Sequence, residues 1–144
     1  MKKHSPYACA LLALGIPATA LATDKEIEVF AASQYTYCDA KMLSGMWKES
    51  VWESKSMIGR KIGWGDQQTL NSALRKARGE ARTHPKRSCD FWEAGLNYQD
   101  AEVLAGVWKL SIDESKAFVQ EKILAGDELL VRQILAENGR KPGR

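Results

Sequence analysis

The sequence predicts an all-α protein: two tandem helical units of about 61 residues each, packed into one domain. Three observations carry this. Shifted by 61, residues 30–66 align with residues 91–127 without a gap, and 16 of the 37 positions are identical. A repeat at fixed period sets the architecture before any local reading. Helix-start signatures recur at the same places in both copies. Apolar residues fall at helical spacing, and no stretch alternates with the period of two that a half-buried strand requires. The expected layout is a leader over residues 1–22, unit 1 over 23–84 and unit 2 over 85–144, each unit with about four helices and both sharing one core.

The leader comes first. Lys2 and Lys3 form a charged start, residues 7–16 are mostly apolar, Pro17 breaks the run, and Ala20-Leu21-Ala22 offers small residues for cleavage. This pattern is that of a secretory signal removed after Ala22. Nothing else approaches the ~20 apolar residues that a membrane span needs. The exported chain would have 122 residues, with 19 basic and 18 acidic, so its net charge falls from +3 to +1. So small a charge excludes a global field for nucleic acid or membranes. The expected location is the periplasm or the cell exterior.

The helices follow in order. A helix over residues 24–32 should be matched by one over 89–93. Thr36 and Asn97 are N-cap residues with Asp39 and Asp100 three positions on, so the next helix of each unit starts there. Its apolar side carries Leu43, Met46 and Trp47 in one unit and Leu104, Val107 and Trp108 in the other. Both tryptophans are expected to anchor the core. Ser50 with Glu53, and Ser111 with Glu114, are capping boxes that open the third helix and force a very short turn after Lys48 and Lys109. Met57, Ile58 and Ile62 match Phe118, Val119 and Ile123 at helical spacing. Gly65-Asp66 and Gly126-Asp127 end these helices and start the last ones. The units join around Thr83-His84-Pro85-Lys86. Gly45 and Gly106 each cost about 1 kcal/mol within a helix, so a second backbone is expected to pass close to them.

Cys38 and Cys89 remain after processing. An even pair in an oxidising compartment is expected to form a disulfide. His84 with these cysteines could instead make a metal site or a nucleophile–base pair, but the short ligand spacings of zinc sites are missing and no nucleophile motif surrounds either cysteine.

The stretches LSGMWKESVWESKSMI and LAGVWKLSIDESKAFV resemble the helix-turn-helix of DNA-binding regulators, over about 20 residues of each unit. That resemblance implies a second helix directed at DNA. Asp113 and Glu114 open this helix in the second unit, a poor approach to phosphates, and export removes the chain from DNA. The motif is read as two helices packed at a steep angle, and nucleic acid is not an expected partner.

The chain holds no phosphate loop, no H-E-x-x-H and no nucleophile elbow. The acids near the motifs already have a capping role. No enzymatic activity, cofactor or metal is therefore expected. The Glu-Ser-Lys triplets at 53–55 and 114–116 are taken as cap plus solvated lysine. Departures from the repeat are more informative. Trp52 faces Asp113 in the alignment and Trp64 faces Ala125, so the fold does not demand either ring; each either forms an exposed surface or fills the contact between units. Tyr35 and Trp92 are also unmatched. Residues 75–87 carry six cations, Arg75, Lys76, Arg78, Arg82, Lys86 and Arg87, against one glutamate. Trp52, Trp64 and these cations are the candidate binding surface. The expected function is an exported, non-catalytic binding protein whose partner is another envelope or secreted protein. Inhibitors and immunity proteins that occlude a toxic enzyme are the analogy. The alternative is a structural envelope module holding an anionic polymer or lipid through its basic segments. A small metal-dependent or cysteine enzyme built on His84 is the third possibility.

Overall fold

The computed structural model describes residues 23–139, so the expected signal segment, residues 1–22, and the C-terminal residues 140–144 lie outside the described residues. Among the described residues there are seven α-helices, one 3-10 turn and no strand. They are α1 (Asp24–Ala31), α2 (Tyr37–Trp47), α3 (Val51–Gly63), α4 (Gln67–Thr83), α5 (Tyr98–Trp108), α6 (Ile112–Ala125) and α7 (Glu128–Glu137), with the 3-10 turn at Pro85–Arg87 after α4. No helix of these is long and apolar enough to cross a membrane.

Local chemistry starts each helix where the sequence places a cap. Full capping boxes stand at Thr23/Glu26, Thr36/Asp39, Ser50/Glu53, Asn97/Asp100 and Ser111/Glu114. In each, the cap side chain accepts the N3 amide while the N3 carboxylate accepts the cap's own amide, satisfying two donors that the helix cannot. α2 and α5 both end at a lysine in left-handed backbone, Lys48 at φ 58° and Lys109 at φ 55°. A side chain there costs about 1 kcal/mol, and the tight turn that delivers the next cap requires it. The starts of α2, α3 and α4 precede those of α5, α6 and α7 by 61 residues each.

The halves are not copies throughout. The expected helix over 89–93 is absent: residues 91–95 form turns, and Cys89 precedes them in non-helical backbone. Among the described residues α1 therefore has no counterpart, and the second half has three α-helices, not four. α1 lies on α3. Its backbone passes so close that a Cβ on Gly59 would sit 2.0 Å from the Glu26 carbonyl oxygen. Gly59, not Gly45 or Gly106, is the glycine of close approach. A Cβ at Gly45 would meet only the Arg87 side chain, at 3.1 Å, and one at Gly106 would meet nothing within 4 Å.

Buried side chains from every helix form one cluster, including Met42, Leu43, Ile58, Leu74, Leu104, Val119, Ile123, Val131 and Leu135. Trp47 and Trp108 pack against it half-buried rather than at its centre. α4 touches both α2 and α6, and so bridges the halves. Cys38 and Cys89 lie inside this cluster at disulfide distance, with their Cα atoms 5.4 Å apart.

α1 is held through Glu26, whose carboxylate accepts Arg60 Nε at 2.9 Å and also the Ser56 hydroxyl. The Arg60 guanidinium, with help from Ser56 and the Thr23 amide, lowers the Glu26 pKa from 4.5 to about 2. A depressed acid contributes its full stabilisation above its unfolded pKa and loses it as pH falls through the folded value. Docking of α1 should therefore be intact above about pH 4.5 and weaken progressively towards pH 2. Hydrogen exchange of α1 amides across that window tests this, and Glu26→Gln should flatten the dependence. If wild type and variant show the same acid profile, Glu26 is not the responsible group.

Candidate functional site

α3 buries Ser54, Ser56, Ile58 and Gly59 against the rest of the fold. Trp52 is its second residue, outside that face, and Trp64 is its C-cap. They are 52% and 69% exposed. Of the two possibilities for these rings, surface or contact between units, the structure takes the surface. Trp92 is exposed as well, at 55%, in the turn that follows Cys89. The sequence marked Trp92 only as unmatched; nothing in its neighbours says that this segment is a turn.

The basic stretch divides. Arg75 donates to the Ser72 hydroxyl at 3.0 Å, and with Lys76 and Lys86 it is exposed. Arg82 pairs with Glu121 at 3.1 Å, and Arg87 with Glu80 at 3.1 Å. Arg78 turns inward: it donates to Asp39 at 2.8 Å and lies against Gly126. Three of the six cations are thus partly neutralised by the chain's own acids. Arg78 joins the fold's interior and leaves the surface patch.

Arg78 and Asp39 instead line a polar cleft of about 230 Å³ between the α1–α2 connection, α4 and the start of α7. Glu128, almost fully buried, accepts the Thr36 hydroxyl at 2.6 Å and Arg132 at 2.7 Å. Tyr35 donates to Asn71 Oδ1 at 2.9 Å. The Thr36–Glu128 bond ties the start of α2 in the first half to α7 in the second, while Tyr35–Asn71 ties the α1–α2 connection to α4. Asp39 is engaged by Arg78 and Glu128 by Thr36 and Arg132, so the cleft acts as a seam.

The Glu-Ser-Lys triplets also differ from expectation in one member. Glu53 and Glu114 cap, and the amides of Ser50 and Ser111 hold both carboxyls below the usual carboxylate range. Ser54 and Ser115 are fully buried. The lysines are not simply solvated. Lys55 Nζ sits 5.7 Å from the Phe30 ring and 5.1 Å from Tyr37, and Lys116 Nζ sits 5.3 Å from Trp92 and 5.7 Å from Tyr98. Each lysine joins two rings by cation–π attraction. Spacing along the chain could not reveal this, because the second ring comes from a connecting segment in the second half and from α1 in the first.

Cys38 and Cys89 are fully buried, while His84 is exposed at the end of α4 with its Nδ1 near the Thr83 hydroxyl. Among the described residues no group of three or more His, Cys, Asp or Glu could hold a metal ion.

Fold and surface together describe an all-α protein with a buried cysteine pair at disulfide distance and large aromatic side chains held out to solvent. No family model, curated protein or solved structure matches the chain.

Proposed function

We propose that the chain is an exported, non-catalytic binding protein that contacts another envelope or secreted protein through Trp52, Trp64 and the exposed cations Arg75, Lys76 and Lys86. An inhibitor or immunity-type role belongs to the same reading. The observation that carries it is the exposure of both indoles. Tryptophan is usually well buried, and the aligned residues Asp113 and Ala125 indicate that the fold does not need either ring. Tryptophan and arginine are the residue types enriched in interface hot spots. The cysteine pair is consistent with an oxidising compartment. Cleavage after Ala22 would leave Thr23, the N-cap of α1, as the first residue.

We further propose that an ancestral unit of three helices was duplicated in tandem, with α1 as an addition to the first copy. Support comes from the 61-residue alignment, the coincident helix starts and the paired left-handed lysines. The alternative of an anionic polymer is less supported, since Arg78, Arg82 and Arg87 are already paired with acids.

Trp52→Ala/Trp64→Ala should leave stability within about 0.5 kcal/mol for each site, as for exposed positions generally. It should weaken partner capture from envelope extract by at least about tenfold, as loss of an interface anchor does. Recovery of the same partners in the same yield by wild type and variant would rule out this surface.

A further inference from the structure

The capping box at Thr23 stands apart from those at Thr36, Ser50, Asn97 and Ser111 in the chemistry open to its nitrogen. Thr23 directly follows Ala20-Leu21-Ala22, the small residues read as a cleavage site. Hydrolysis of the Ala22–Thr23 bond consumes one water, leaves a carboxylate on Ala22 and turns the Thr23 amide nitrogen into a free amine. An α-amine titrates at about 7.7–8.0, so below neutral pH it is an ammonium ion. At the other four caps the equivalent nitrogen stays an amide.

That nitrogen already has an acceptor. Thr23 N stands 3.3 Å from Glu26 Oε2, and the Thr23 hydroxyl accepts the Glu26 amide, also at 3.3 Å. From α3, Arg60 forks the same carboxylate at 2.9 and 3.3 Å, and the Ser56 hydroxyl donates to it. Glu26 therefore joins the start of α1 to the helix on which α1 docks. The other charged groups of α3 are engaged elsewhere: Glu53 accepts the Ser50 amide, Lys55 lies over the Phe30 and Tyr37 rings, and Lys61 pairs with Asp66. On α1 itself Asp24, Lys25 and Glu28 are exposed. Two effects oppose an ammonium ion at Thr23. A helix N-terminus carries partial positive charge, and Arg60 is a second cation on the same carboxylate. Against them stands direct contact with Glu26, and Coulomb attraction at contact exceeds repulsion across the intervening group. A bond from a charged donor is also roughly twice as strong as one from a neutral donor.

We propose that removal of the leader completes the docking of α1: the ammonium group left on Thr23 pairs with Glu26, and the row Thr23–Glu26–Arg60 clamps α1 to α3 more firmly than the amide of the unprocessed chain does. The inference rests on cleavage after Ala22, as read from the sequence. A cation whose folded pKa is raised contributes stability that is complete below its unfolded value and is lost as pH rises through the folded one. The clamp is therefore closed at about pH 6 and opens above about pH 8. The pair is exposed, so its effect is modest and weakens with salt.

The exported protein, purified after processing, is the material for the test. Its mass should place Thr23 first. Selective acetylation of the α-amine then removes the charge and keeps an N–H donor, so the two forms differ only in the proposed pair. Hydrogen exchange at about pH 6 should show α1 opening about twofold to fivefold more often in the acetylated form, the range of an exposed ion pair, with α4 to α7 unchanged. The Thr23 amine, followed by NMR, should titrate above about 8 and return to the ordinary range in Glu26→Gln. In that variant acetylation should no longer change α1 exchange. A first residue other than Thr23 overturns both the cleavage reading and this contact. Thr23 first, with equal exchange in the free and acetylated forms, overturns the contact alone. So does an acetylation effect that survives Glu26→Gln, or a wild-type amine that titrates at or below its ordinary value.

Discussion

Removing the Cys38–Cys89 link is expected to cost about 4 kcal/mol of stability in the chain-entropy account of cross-links, and to lower Tm by roughly 15 °C for a domain of this size. The cysteines are 51 residues apart in sequence and fully buried. The link ties the first turn of α2 to the segment entering the second half. It therefore restricts the unfolded chain across α3 and α4, which is where the entropic term arises. Without it, the halves are joined by the core contacts of α4 and by the Thr36–Glu128 and Arg82–Glu121 bonds. Urea unfolding of Cys38→Ala/Cys89→Ala against wild type measures the loss. The slope should also rise, because an unlinked denatured chain exposes more surface. A difference below about 1 kcal/mol would mean that the link contributes far less than loop closure predicts.

Gly59→Ala is expected to destabilise by roughly 2–4 kcal/mol, the range of severe overpacking. Two effects oppose each other. Alanine is better than glycine in a helix by about 1 kcal/mol. Against this, the new Cβ would lie 2.0 Å from the Glu26 carbonyl oxygen and 2.8 Å from its carbon. The obstacle is backbone, so relief requires displacing α1 as a body. That motion breaks the Glu26–Arg60 pair and lifts Phe30 from the core. The steric term therefore wins. Hydrogen exchange should show α1 opening first, with α4 to α7 still protected. Gly63→Ala is the control: it lies in the same helix, has nothing within 4 Å of a new Cβ, and should be neutral or stabilising by up to about 1 kcal/mol. Equal changes at both positions would show that the passage of α1 does not set the response at Gly59.

Both results turn on contacts that no local pattern contains, and the same division runs through the chain. Caps were legible because their partners stand three residues apart: Ser50 with Glu53 and Asn97 with Asp100 complete their bonds wherever the helix points. The all-helical class was legible for a similar reason, since the apolar period is a property of neighbours on one helix. The cysteine pairing needed only parity and an expected compartment. The tertiary structure alone decided which glycine another backbone approaches, because Gly45, Gly59 and Gly106 look alike in sequence. It turned Arg78 away from the cation row and into a bond with Asp39. It placed Lys55 and Lys116 between rings, left residues 91–95 as turns, and put Trp52 and Trp64 on the surface. Each of these depends on where a segment far along the chain comes to rest, and chain distance carries no information about that until the core has formed.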